Sequence, residues 1–377
     1  MSNYQLFLLD FGLSSLQISI LIATAFIVIF IFEIPTGAYA DLIGRKNSFL
    51  FSCILSLIAM LMYYWGNHFF IFVLAEIIAG IGFTFSSGSI DAWVVDKLEN
   101  INHKDKIRNT FIDLSIYGNL ANLFSGFIGA FIATQSLRLP RLMGAIGLTI
   151  TFVVALIFID DKDHERSEMS LQNGMKNIVQ VSKDSIKIGI NNKPFRILLI
   201  SGSIVALCVS ASVLWQTYFN KNFNLDTQVY GFLWVLISLS NIFGGFILKL
   251  LKKWDKHIIT FISIIGYGLA MLLVTSFSQQ IYAFGFFMLA KTSISFFVPT
   301  QMTLVNECIN EKYRATTLSF YSMTTELVGG IGILFVGFMS KTWSISTSWR
   351  VFAILALFSI LIYSTIISNN NSKKLEG

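Results

Sequence analysis

The sequence predicts an all-α membrane protein built from two helical half-bundles. Three observations predict it. Of its 377 residues, 54% are hydrophobic and 13% are charged, well under the charge of an ordinary soluble domain. The charges fall between long apolar runs, each near the roughly 20 residues an α-helix needs to cross a bilayer. One long polar interruption, 160–194, divides those runs into two sets. In water such a chain would expose large apolar patches, so lipid is its expected solvent.

The runs lie near 16–39, 47–65, 69–95, 108–134 and 140–159, then 195–219, 228–250, 257–276, 280–305, 314–340 and 347–368, about eleven in all. The opening "YQLFLL" is apolar but far too short to cross. Residues 1–159 are therefore expected to form an N-terminal half-bundle with five full helices. Residues 195–377 are expected to form a six-helix half-bundle. The linker 160–194 opens with "DDKDHERSE"; Leu171, Met175, Ile178, Val179 and Ile186 then recur at helical spacing. That spacing predicts an amphipathic helix on the cytoplasmic face. In "NNKPF", Asn192 reads as a helix cap, with Pro194 in the first turn that follows.

Lys and Arg mark cytoplasmic loops. With the loop after the first helix placed inside, 21 of the 27 basic residues fall on inside segments and 5 on outside ones; Lys291 lies within a helix. That asymmetry places the C-terminus in the cytoplasm. It also accounts for the net charge of +6 without nucleic acid, because the bases are spread over six loops. The three cysteines show no CxxC spacing, which argues against a disulfide framework or a zinc site. No phosphate-binding glycine loop, G-x-S-x-G or His-based metal motif is present, so neither an enzyme nor a cofactor is expected. The start shows no signal-peptide pattern.

The halves repeat weakly. "LAEIIAGIGFTFSSGSIDAWVVD" (Leu74 to Asp96) aligns without gaps on "LAKTSISFFVPTQMTLVNECINE" (Leu289 to Glu311). In that register Glu76 matches Lys291, Asp91 matches Asn306 and Asp96 matches Glu311. Parallel repeats of this kind build one large class of transporters.

"GAYADLIGRK" then resembles motif A of the major facilitator superfamily, G-x-x-x-D-x-x-G-R-K. All five fixed positions match: Gly37, Asp41, Gly44, Arg45 and Lys46. The resemblance implies the major facilitator fold, with about 11 transmembrane helices here instead of 12. The first family helix is absent except for its tail, "YQLFLLDFG"; a start placed too late and a truncated gene both fit, and the late start is preferred. The resemblance also implies that Gly37 admits the backbone of the helix 314–340, rich in "GGIG" (Gly329 to Gly332). Asp41 would meet that helix's N-terminus, and Arg45 would join a cytoplasmic charge cluster that acts as a gate. A simple loop-capping cluster is the other reading of motif A. "E-x-P-T-G" around Glu33 is similar to a motif A variant of a clostridial-type tetracycline efflux pump. Two antiporter motifs depart from the pattern. Glu76 stands where drug antiporters have arginine, with Gly80 and Gly82 in place. The fifth-helix motif keeps Gly118, Gly126 and Gly129 but lacks its proline.

Ionisable groups deep in a membrane are functional candidates by default. Here they are Glu33, Glu76, Asp91, Asp113, Lys291 and Glu326, while all four histidines fall in expected loops. Glu76, Gly80, Ser87 and Asp91 would share one face of a continuous helix. Glu76 is read as a proton or substrate group. Asp91 either lines the same path or pairs with a loop base such as Arg108. Lys291 and Glu326 are expected near mid-membrane as a buried pair, fixed or switchable. Glu33 is either a proton site or a gate residue. Asp113 is expected to cap its helix's N-terminal dipole. Trp93 is expected as an interfacial belt residue or as a stacking surface for a flat or cationic substrate.

Together these readings anticipate a secondary transporter in a bacterial cytoplasmic membrane. It would export a small amphipathic or cationic compound against an inward proton flow, as a monomer in lipid, with the proton gradient as energy source. Uptake of a small metabolite or anion held by Lys291 is the second reading. A non-transporting remnant or membrane sensor is the third.

Overall fold

A computed structural model of the chain describes residues 3–87, 89–103, 106–160, 187, 190–251, 253–309 and 314–375. These residues are helical or in short turns, and contain 11 helical spans long and apolar enough to cross a membrane. The amphipathic helix expected over 171–186 lies outside the described residues.

The first helices are α1 (Tyr4–Asp10), α2 (Ser15–Ile43), α3 (Arg45–Trp65), α4 (Phe69–Ser86) and α5 (Ser89–Asn100). They are followed by α6 (Ile107–Ala133) and α7 (Leu139–Phe158). After the linker come α8 (Lys193–Ser210), a 3₁₀ turn (Ala211–Leu214), α9 (Trp215–Phe223), α10 (Thr227–Leu250) and α11 (Lys256–Val274). The last three are α12 (Gln280–Glu307), α13 (Arg314–Thr342) and α14 (Ile345–Leu375). The chain divides into two compact units. One comprises Met1–Leu13, Leu21–Gln180 and Asp226–Gly231; the other comprises Ser14–Ile20, Val181–Leu225 and Phe232–Gly377.

In the first unit α3 packs between α4 and α7. The short α1 is no stray turn: Phe7 and Leu8 are fully buried. Arg138 and Arg141, from the start of α7, lie 4.8 Å over the Phe11 ring and 5.2 Å over the Phe7 ring. Gly80 is where α4 meets α2: a Cβ there would sit 2.8 Å from Val28 Cγ1. Large apolar side chains such as Phe124, Phe127 and Phe131 on α6 are exposed, as lipid-facing positions require.

In the second unit α11 packs on α12 and α14, and α8 on α13 and α14. The Asn192 cap forms as expected: its Oδ1 accepts from the Phe195 amide at 3.2 Å, with Pro194 in the first turn. Asn192 Nδ2 also donates to the Cys308 carbonyl at 2.7 Å, which ties the start of α8 to the end of α12. The "GGIG" segment of α13 lies against α8, with a Cβ at Gly332 meeting Leu207 O at 2.7 Å. At Gly37 a Cβ would meet nothing within 4 Å.

Two expected helices are divided. The run 69–95 breaks after Ser86, because the residues there are poor helix formers whose hydroxyls compete for backbone carbonyls. Ser86 donates to Phe83 O at 2.8 Å, while Ser48 and Ser89 reach Phe85 O at 2.9 and 2.7 Å. The run 195–219 tightens into the 3₁₀ turn, where Ser210 and Ser212 donate to Leu207 O and Val209 O at 2.5 and 2.8 Å.

The repeat is visible inside each unit. Phe72 and Phe287 stand four residues before Glu76 and Lys291. Phe7 of α1 meets Phe72 edge-on at 5.6 Å, and Phe219 of α9 meets Phe287 edge-on at 5.5 Å. Each short helix is followed by a residue in the left-handed region, Gly12 at φ 74° and Asn224 at φ 46°.

Gly44 precedes α3 with φ 96° and ψ 154°, a region open essentially to glycine alone. Gly44→Ala is expected to cost about 1–3 kcal/mol, read as a lower midpoint of thermal unfolding in detergent. An unchanged midpoint would show that this turn relaxes freely.

Candidate functional site

The intramembrane ionisable groups fall into three settings. The first is a polar cluster in the first unit, around Glu76 of α4. Its Oε1 accepts from the hydroxyls of Tyr4 and Tyr63, each at 2.5 Å, and those hydroxyls lie 3.0 Å apart. The α1 helix supplies Tyr4 and α3 supplies Tyr63, so this short first helix closes the cluster. Arg141 of α7, only 5% exposed, interacts electrostatically with Glu76. Its guanidinium carbon stands 5.1 Å over the Tyr4 ring and 5.5 Å over the Tyr63 ring. Arg141 Nε and Nη2 have no hydrogen-bond partner, and the residue lines a cavity of about 370 Å³ with Asn3, Met60, Ser125 and Ile132. Glu76 is thus held by two neutral donors with a positive charge nearby, rather than by a direct ion pair.

The second setting is Glu33 on α2. Its Oε1 accepts from Ser87 Oγ at 3.0 Å, at the break between α4 and α5. Its Oε2 is buried with no hydrogen-bond partner among the described residues. Two residues on, Pro35 interrupts the hydrogen-bond ladder of α2, and Thr36 Oγ1 donates to Phe32 O at 2.7 Å. Glu33 therefore stands where two helices are locally irregular, with half of its acceptor capacity unused.

The third setting is Lys291 on α12. Its Nζ donates to Ser212 Oγ in the 3₁₀ turn at 2.8 Å and lies 5.0 Å from the Phe287 ring centroid. The buried pair expected with Glu326 is not made: Glu326 is exposed on α13, and the ammonium turns instead to the hydroxyl that the turn presents.

Other expected positions separate from these. The stripe of Glu76, Gly80, Ser87 and Asp91 required one unbroken helix. The break after Ser86 detaches Asp91, which is exposed in the first turn of α5. Asp113 is exposed on α6 and lies past its first turn, beyond the reach of effective dipole capping. Trp93 donates from Nε1 to Asp160 O at 2.8 Å, and Lys97 pairs with the Asp160 carboxylate at 3.1 Å. These contacts tie α5 to the end of α7. In motif A, Lys46 Nζ donates to Leu156 O at 2.8 Å, and Arg45 opens α3 directly after Gly44. The Asp41 side chain lies outside what the structure describes.

Sequence reasoning missed Tyr4, Tyr63, Arg141 and Ser212. Tyr4 sits in a segment too short to span, and tyrosines near helix ends read as belt residues. Arg141 follows Pro140 and precedes an apolar run, and that place was the available signal.

Eleven apolar spans among the described residues and charged groups placed within them define a multi-pass helical membrane protein. The chain belongs to the Major Facilitator Superfamily, whose family model matches residues 1–307 and 217–376. It is 24% identical over 387 residues to the uncharacterized MFS-type transporter YxaM of Bacillus subtilis, covering 98% of this chain and 92% of that protein. It is 26% identical over 156 residues to the quinolone resistance protein NorA of Staphylococcus aureus, 41% of this chain and 39% of that one. Among solved structures, the nucleoside transporter NupG superposes with a TM-score of 0.79 at 14% identity, covering 95% of this chain and 92% of that one. A D-xylose-proton symporter superposes with a TM-score of 0.72 at 15% identity, covering 96% and 91%. At such identities the likeness is one of fold. The chain is a multi-pass membrane transporter of this superfamily.

Losing one tyrosine donor to a carboxylate costs about 1–3 kcal/mol. Tyr63→Phe is expected to lower the unfolding midpoint. Tyr4→Phe with Tyr63→Phe should depart from additivity, since both serve one oxygen. Additive losses in thermal unfolding of the two single variants and the double would show that the hydroxyls act independently.

Proposed function

We propose that the protein is a proton-coupled exporter of a small amphipathic or cationic compound, working by alternating access in a bacterial cytoplasmic membrane with its C-terminus inside. The observation that carries this reading is the state of Glu33. A carboxylate in a membrane helix is costly unless something partners it. Glu33 has one serine hydroxyl and a buried Oε2 with no donor among the described residues. A proton or a cationic group supplies what is missing, and exchange of one for the other is the chemistry an antiporter needs. The partial similarity to NorA supports export of a drug-like compound.

Glu76 is the second carboxylate in this scheme. Its two tyrosine donors stabilise the ionised form, and Arg141 offers a counter-charge without a direct bond. Protonating Glu76 would free the tyrosine hydroxyls to bond elsewhere, which gives the cluster two arrangements. Motif A, with Gly37, Asp41, Gly44, Arg45 and Lys46, is proposed as the cytoplasmic gate. Lys46 of this motif donates to Leu156 O within the first unit.

The test uses inside-out vesicles holding the full chain, with an imposed proton gradient and ethidium as the reporter cation. The wild type is expected to move ethidium with the gradient, and Glu33→Gln to abolish coupled movement while remaining folded in the membrane. Unchanged coupling in Glu33→Gln removes Glu33 from the mechanism. No gradient-linked movement of ethidium or of a quinolone by the wild type overturns the exporter reading.

A further inference from the structure

Lys291 is an ammonium inside a membrane span, and what surrounds it is incomplete. An ammonium has three hydrogens to donate. One goes to Ser212 Oγ at 2.8 Å. The face of Phe287, 5.0 Å away, contributes attraction from its ring quadrupole. No carboxylate among the described residues lies within ion-pair distance of Lys291. Glu307, on the same helix, pairs with Lys256, and Glu326 is exposed. The serine itself is already engaged, donating to Val209 O at 2.8 Å and neighbouring the Tyr267 hydroxyl. One neutral hydroxyl and one ring do not offset the loss of water around a full positive charge.

The surroundings are also shaped. Phe287 is flanked by Trp349, stacked at 5.9 Å and 10°, and by Trp215 at 6.2 Å and 31°. Lys291 is of intermediate burial, and the rings beside it are buried in the second unit. The corresponding position of the other unit, Glu76, is supplied with two donors and a nearby guanidinium. No described residue gives Lys291 an equivalent counter-charge.

We infer that Lys291 is the binding point for an anionic group, a carboxylate or its equivalent, of the compound the transporter handles. This rests on the exporter reading in one respect: joined to it, the inference makes the substrate amphoteric, with a basic group as well as an acid. The anion site itself stands on the geometry of the second unit alone.

The experiment measures thermal unfolding of the full-length protein in detergent, with benzoate and with the neutral isostere benzamide as probes. Benzoate is expected to protect the wild type and Lys291→Arg, and to bind Lys291→Met roughly tenfold or more weakly; benzamide should protect none of them. Ser212→Ala leaves the ammonium in place and should keep the benzoate effect, which guards against a Lys291→Met variant that fails to fold. Without ligand, Lys291→Met should unfold no earlier than the wild type, since it removes an uncompensated charge. Equal benzoate protection of wild type and Lys291→Met, or protection of neither, overturns the anion site. Lys291-dependent benzoate protection together with absent ethidium and quinolone transport overturns the exporter reading and leaves the anion site standing.

Discussion

A charged side chain in a lipid-spanning helix must find hydrogen bonds, a counter-charge or water, because the hydrocarbon around it supplies none. In the first unit that requirement draws α1, α3, α4 and α7 together at Glu76, through two tyrosine hydroxyls and the arginine whose guanidinium covers both rings. The α1 helix is too short to cross a bilayer, yet it is buried. Tyr4 is half of the donor set that keeps a carboxylate in place, and Phe7 packs against Phe72 one turn from it.

Helix breaks do similar work. Where α4 stops at Ser86, serine hydroxyls take over the carbonyls that the ladder releases, and Ser87 is left to face Glu33. Where α8 tightens into a 3₁₀ turn, Ser212 is presented to Lys291. In both units a charged group lies opposite a serine at an irregular point of another helix. Irregular backbone inside a bilayer is tolerated where its polar groups are satisfied by protein, and here side-chain hydroxyls satisfy them. An Oγ at such a point is a modest partner for a full charge, and it is the hydroxyl partner that Glu33 and Lys291 each have.

The two units apply one plan with opposite charge. Phe72 and Phe287 occupy matching places, each met edge-on by a ring from a short helix that ends in a left-handed residue. Four residues on, one unit bears Glu76 and the other Lys291. The aromatic frame is common to both, while the chemistry it surrounds is not. Arg141 has no matched partner in this comparison; its unbonded nitrogens and adjacent cavity belong to the first unit.

The sequence by itself determined the spans, because crossing lipid demands runs of apolar residues that few other constraints produce; α3, α7 and α10 begin and end within two residues of the expected limits. It also determined the Asn192 cap, the repeat and the motif A turn, whose signals are local in the chain. It named Glu33, Glu76 and Lys291 as groups out of place in lipid. Tertiary structure alone decided what each of them touches. Tyr4 and Glu76 are 72 residues apart, and Lys291 and Ser212 are 79, and no pattern along the chain records such meetings. It also placed the two breaks, since a serine-rich stretch in an apolar run continues as helix or bends according to whether neighbouring carbonyls and hydroxyls stand ready. The failed pairing of Lys291 with Glu326 has the same cause: equal depth in the membrane does not put two side chains on facing sides of their helices.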